Sequence, residues 1–100
     1  MIRFERLSEL YAIKERRADK LRLHMDAMCE FGSFSKEAIE AYDELVTLEG
    51  QYKIKGDALT DEVGMVEGMF AVNLLDAVFP KSMSRYLKCL DVCGIEVIGQ

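Results

Sequence analysis

The chain predicts an all-α fold: a long antiparallel helical hairpin, residues 4–31 and 36–55, with two further helices, residues 61–78 and 83–93, packed against it in a helical bundle. Three observations carry this. Phe4, Leu7, Tyr11, Lys14, Ala18, Leu21, Met25 and Met28 recur at alternating spacings of three and four, with no Gly or Pro before Gly32. That is the seam of a coiled-coil helix. Pro80 is the one proline, and the other breaks are short Gly or Ser punctuations between segments of helical period. Finally, half of the 100 residues are apolar, enough for one helical domain spanning 1–100 with its own core.

The first helix would be roughly 40 Å long at 1.5 Å per residue. A seam of that length needs a second helix to bury it, from this chain, another copy or another protein. Gly32 suits the position just past the helix end. Ser35 suits an N-cap for the second helix, with Phe34 and Ile39 spaced as a hydrophobic staple around it. The second helix sets Ala38, Ala41, Tyr42, Leu45, Leu48 and Tyr52 on one face and Glu37, Glu40, Asp43 and Glu44 on the other. The connection is short, so the two helices run antiparallel. Gly50 weakens the second helix and Gly56 is read as its end.

Asp57 or Thr60 would then cap a third helix, with Asp61 and Glu62 near its positive dipole end. Pro80 blocks its continuation. This helix is apolar around most of its circumference: Val63, Val66, Phe70, Ala71, Leu74, Leu75 and Val78. A helix of that kind is surrounded, and an oligomer interface would surround it. Ser82 caps a fourth, short helix with Met83, Tyr86, Leu87, Leu90 and Cys93 on its apolar face. The β-branched tail Ile95–Ile98 reads as an extended arm with no strand partner in the chain.

Thirteen Lys and Arg against eighteen Asp and Glu leave a net charge of −5. General electrostatic binding of nucleic acid needs the opposite sign, so a nucleic-acid partner is not expected. The stretch Val63–Phe79 is shorter than a membrane span and holds Glu67, Asn73 and Asp76, so no membrane partner is expected either. The opening residues are charged and lack the apolar run of a signal peptide. Cys29, Cys89 and Cys93 have no disulfide-framework spacing, which points to the reducing cytoplasm.

No catalytic constellation stands out, and the chain is not read as an enzyme. His24, the lone histidine, is placed away from the seam as a surface side chain without an orienting partner. Cys89 and Cys93 are two possible ligands where a structural zinc site wants four, so they read as buried thiols, and no metal or cofactor is expected. Gly64 and Gly68 form a small-xxx-small pair that permits close helix packing; neither Gly-rich nucleotide motif is present. The methionines at helical spacing read as core filling, some of them at an oligomer seam.

Two features suggest a surface. On the first helix, Arg6, Arg17, Lys20 and His24 fall on one stripe with Arg16 beside it. Like charges stack there instead of alternating, as a merely solvated face usually does. The stripe is the candidate partner-binding surface. Phe4, Leu7, Tyr11, Lys14, Leu21, Met25, Gly64, Glu67 and Gly68 are the candidate residues for core or oligomer packing. Lys14 and Glu67 interrupt apolar faces and are expected to be buried partners of one another. In composition the chain resembles small acidic helical adaptors, secretion chaperones and phage-encoded inhibitors, a resemblance carried by no motif. The expected function is therefore a non-enzymatic protein–protein interaction, as an adaptor, chaperone-like protein or inhibitor, with self-association. The alternative is a module that grips an anionic ligand, a nucleotide or nucleic-acid segment, on the basic stripe.

Overall fold

The computed structural model describes residues 1–100 and is 80% helical. In chain order the elements are β1 (Ile2–Arg3), α1 (Phe4–Phe31), α2 (Lys36–Val63), α3 (Met65–Val78), α4 (Met83–Val92) and β2 (Val97–Ile98). α1 and α2 form the long antiparallel hairpin; α3 and α4 pack at its base, around the ends of the chain. The molecule measures 47 × 24 × 20 Å.

Local chemistry sets the hairpin's turn. Gly32 adopts φ +96°, and its N–H donates to the Met28 carbonyl. Ser35 Oγ accepts from the Ala38 N–H at 3.2 Å and donates to the Gly32 carbonyl at 2.8 Å. The cap is as expected, but the staple is unmade: Phe34 is 92% exposed.

α2 runs eight residues beyond its expected end at 55. Gly56 does not end the helix but stays within it, buried beneath Val72 of α3. A Cβ there would lie 3.6 Å from Val72 Cγ2, an ordinary contact. Asp57 and Thr60, expected to cap the third helix, lie inside α2, where Thr60 Oγ1 donates back to the Gly56 carbonyl. The reversal into α3 takes one residue, Gly64, at φ +100°, a conformation that favours glycine. α3 then folds back along the last turns of α2, and Gly68 presses against Thr60.

Ser82 caps α4 by accepting from the Arg85 N–H. Past Gly94 the tail turns back, and the Ile2 N–H donates to the Glu96 carbonyl at 2.8 Å. The tail therefore has a partner, contrary to expectation: β2 pairs in parallel with β1, Val97 opposite Ile2 and Ile98 opposite Arg3.

The core sits at the base. It comprises Ile2, Leu7, Leu10, Leu59, Ala71, Leu75, Tyr86 and Leu90, with Ile95 and Val97 of the tail packed against it, so both chain ends and all four helices contribute. Tyr86 is fully buried and donates its hydroxyl to the Ala71 carbonyl at 2.7 Å. Beyond Lys14 the hairpin has little core of its own. There α1 and α2 bury Ala38, Leu45 and Leu48 between them.

Candidate functional site

The basic stripe does not face open solvent. Leu10, Ile13, Arg17, Lys20 and His24 follow the same three-four spacing as the apolar seam, rotated from it, and this second stripe is the one directed at α2. Leu10 and Ile13 are buried. Arg17 donates to Glu49 Oε1 at 2.7 and 3.0 Å, and Lys20 Nζ lies 2.6 Å from Glu44 Oε2. His24 Nδ1 lies 3.1 Å from the Ala38 carbonyl and its ring meets that of Tyr42, so it is not the isolated surface histidine expected. At the base, Arg6 pairs with Glu62 and Glu9. Arg16 alone of the five stands exposed without an ion pair. Glu44, Glu49 and Glu62 of α2 thus neutralise Lys20, Arg17 and Arg6 within one chain.

The expected Lys14–Glu67 pair is not formed. Lys14 Nζ lies 2.6 Å from Asp76 Oδ1 and stacks over the Tyr52 ring at 4.9 Å. Glu67 lies two and a half turns away along α3, where it is half-buried and accepts from the N-terminal amine at 2.9 Å. Asp76 Oδ1 also accepts the Tyr52 hydroxyl at 2.8 Å, and Tyr11 donates to the Lys81 carbonyl at 2.6 Å. Burial, followed by the Asp76 hydrogen bond, pushes the Tyr52 phenol well above its ordinary value. Lys14, Arg17, Glu49, Tyr52 and Asp76 thus form one cluster whose charges are paired internally. It fastens the hairpin to α3.

The remaining candidates divide between base and tip. Leu7 is buried, Phe4 and Tyr11 are half-buried, and Gly68 is buried at the α2–α3 crossing, whereas Gly64 is exposed at the turn. Leu21 and Met25 are exposed, Met25 by 54%. Cys29 and Cys93 are exposed and Cys89 is half-buried, all three free, so of the two cysteines expected to be buried thiols Cys93 is exposed and Cys89 only half-buried. No group of three or more His, Cys, Asp and Glu side chains is placed to hold a metal ion. No helix is long and apolar enough to cross a membrane.

Two apolar surfaces are left open. The first continues the α1 seam. At the base, Tyr11 and Lys14 on this seam meet Phe79 and Asp76, and on α2 Gly56 and Thr60 meet α3. Towards the tip the same sides of the two helices carry Leu21, Met25, Ile39, Tyr42 and Val46, all exposed. At 3.6 residues per turn, antiparallel neighbours bring these stripes to one side of the hairpin. α3 covers that side at the base and nothing in the chain covers it at the tip.

The second is a groove between α3 and α4. One part, of about 590 Å³, is lined by Val63, Met65, Val66, Glu67, Phe70, Cys93 and Ile95 among others. It meets at Cys93 a part of about 350 Å³ lined by Leu74, Arg85, Lys88, Cys89 and Val92. Val66 is 87% exposed and Val92 79%, so α3 is far from surrounded. Sequence reasoning named neither Arg85 and Lys88 nor Val46, and placed Ile39 and Tyr42 in the staple and the apolar face of the second helix, not on an open surface. The signal for the groove was there, in the apolar circumference of α3. Comparison with models of known protein families, with curated proteins and with solved structures finds no match to this chain.

Proposed function

We propose that the chain is a non-enzymatic protein–protein interaction protein of the reducing cytoplasm, and that two copies associate through the apolar tip of the α1–α2 hairpin. The observation that carries this is an excess of surface. A monomer of 11.4 kDa is expected to expose about 5,800 Å². This chain exposes 6537 Å², more by about 700–800 Å², which matches one side of a standard interface, about 800 Å² per partner. Its radius of gyration, 15.6 Å, likewise exceeds the roughly 13 Å of a compact 100-residue domain. The long hairpin, which draws the molecule out to 47 Å, contributes to both.

A second copy fits the tip on three grounds. The strip draws on both helices of the hairpin and can meet its own copy about a two-fold axis. Its members Leu21, Met25, Ile39, Tyr42 and Val46 are uncharged, so two acidic chains meet there without repulsion. α3 occupies the same side at the base, so two hairpins overlap tip on tip into four helices with a base at each end. An anionic ligand on the basic stripe, by contrast, has to displace Glu44 and Glu49 from Lys20 and Arg17.

The test is the solution mass by light scattering at micromolar concentration. Two chains are expected for the wild type and one for Met25→Asp combined with Tyr42→Asp, with helicity retained. Raised salt is expected to leave the pair intact, because its contact is apolar. A wild type that stays a monomer, or a pair dissolved by salt and indifferent to the two substitutions, contradicts the proposal.

A further inference from the structure

We propose that the groove between α3 and α4 is a docking site for an amphipathic helix of a second protein, one whose flanks carry carboxylates. This surface is separate from the hairpin tip and does not depend on self-association. The groove's α3 wall presents Val66, Phe70 and Leu74 at i, i+4 and i+8; its α4 wall presents Cys89, Val92 and Cys93. From Val66 to Leu74 this wall runs about 12 Å along α3, slightly more than two turns. A trough between two helices with apolar anchors at helical spacing is the receptor half of helix-in-groove recognition. Its concavity suits a rod and not a flat lipid surface.

Charge selects the kind of helix. Seven of the thirteen Lys and Arg lie within 4 Å of a carboxylate, leaving Arg3, Arg16, Lys53, Lys81, Arg85 and Lys88 unpaired. Three of these six stand on α4 or just before it, in a protein of net charge −5. Arg85 and Lys88 line the groove itself. The carboxylates nearby do not answer them. Glu67, at the opposite end, is held by the N-terminal amine. Asp91 and Glu96 share with Lys88 a separate hollow on the β2 side of α4, and neither lies within 4 Å of its amine. A ligand helix laid on Val66, Phe70 and Leu74 therefore meets cations at the α4 rim. Acidic flanks are attracted there, and basic ones are rejected.

The test is a display selection of helical peptides on the full-length protein. The enriched peptides are then synthesised and their affinities measured by fluorescence anisotropy. The enriched sequences are expected to carry apolar residues at helical spacing and Asp or Glu beside them. Val66→Asp, and separately Arg85→Glu with Lys88→Glu, are expected to weaken binding by roughly tenfold or more. Leu21→Asp, at the hairpin tip, is expected to leave it unchanged, so failure of the groove and failure of the tip are told apart. Circular dichroism checks that each variant is folded; all four side chains are exposed or line an open groove. The proposal is overturned if no peptide is enriched, if the enriched flanks are neutral or basic, or if affinity ignores the groove substitutions. It is overturned also if phosphatidylserine vesicles, or a second copy of the chain itself, occupy the groove in a Val66-dependent way.

Discussion

Replacing Gly68 by Ala tests the closest approach in the fold. An ideal Cβ on Gly68 lies 2.6 Å from Thr60 Cα, 3.0 Å from its Oγ1 and 3.1 Å from its backbone nitrogen. Carbon atoms pack at about 3.5–4.0 Å, so α3 has to retreat by about 1 Å. The obstacle is backbone, which cannot rotate away as a side-chain tip can. Overpacking of this kind costs about 1–3 kcal/mol, and Ala returns about 1 kcal/mol of helix propensity. The retreat also draws Ala71 and Leu75 out of the core they share with Tyr86 and Leu90, which puts the overpacking cost in the upper part of that range, about 2–3 kcal/mol. We therefore expect a net loss of about 1–2 kcal/mol, which at about 4–8 °C per kcal/mol lowers Tm by roughly 4–16 °C. Thermal melts followed by circular dichroism measure it. Gly50→Ala is the control: a Cβ there meets nothing within 4 Å, and a gain of about 0.5–1 kcal/mol is expected. A Gly68→Ala protein that melts at or above the wild type refutes the crossing of α2 and α3 at Thr60.

Reversing Arg17 and Lys20 to Glu sets like charges against Glu49 and Glu44 across the hairpin. We expect a loss of about 1–2 kcal/mol for the pair and its recovery on adding Glu44→Lys and Glu49→Arg; an unchanged Tm would mean the stripe is a free surface after all. The phenols of Tyr86 and Tyr52 are held above their ordinary value of 10.0, chiefly by burial. As pH rises through about 10 the unfolded chain releases these protons first and binds fewer than the native one, so stability falls there and is full below it. Urea midpoints across that range are expected to show the fall, with Tyr86→Phe flattening it at a cost of about 1 kcal/mol near neutrality from the lost bond to Ala71. A wild-type midpoint that stays level above pH 10 contradicts the burial of these phenols.

The ends of α1 and the start of α2 were legible because their signals are local: Gly32 has a backbone conformation that favours glycine, and Ser35 satisfies a helix N–H. The end of α2 was not, because Gly56 and Gly64 look alike in a string of residues. Gly56 stays helical under the approach of Val72, whereas Gly64 turns the chain. Hydrophobic periodicity found the seam through Leu7, Tyr11, Lys14, Leu21 and Met25, but the stripe directed at α2 is half cationic. Arg17, Lys20 and His24 hold helix-facing positions that a hydrophobicity pattern scores as solvent, and the glutamates that satisfy them lie on another helix. The same pattern concealed the partners of Lys14 and Glu67, which depend on their height along α3 and on where the chain's first residue lies. The tail was recognised as extended, but its partner strand is two residues long, too short for any alternation. The need of α3 for further cover was visible in its apolar circumference, and the open groove is where that need remains.

Hydrogen exchange measured as a function of protein concentration tests the central claim, that the hairpin tip is covered by a second copy, most directly. In a lone chain the amides between Arg17 and Val46 belong to two helices with almost no core between them, and they exchange through local opening. On passing from nanomolar to micromolar protein, we expect protection to rise across that segment of α1 and α2 while the amides of α3, α4 and the β1–β2 pair stay unchanged. Exchange at the tip that is rapid and independent of concentration contradicts the account.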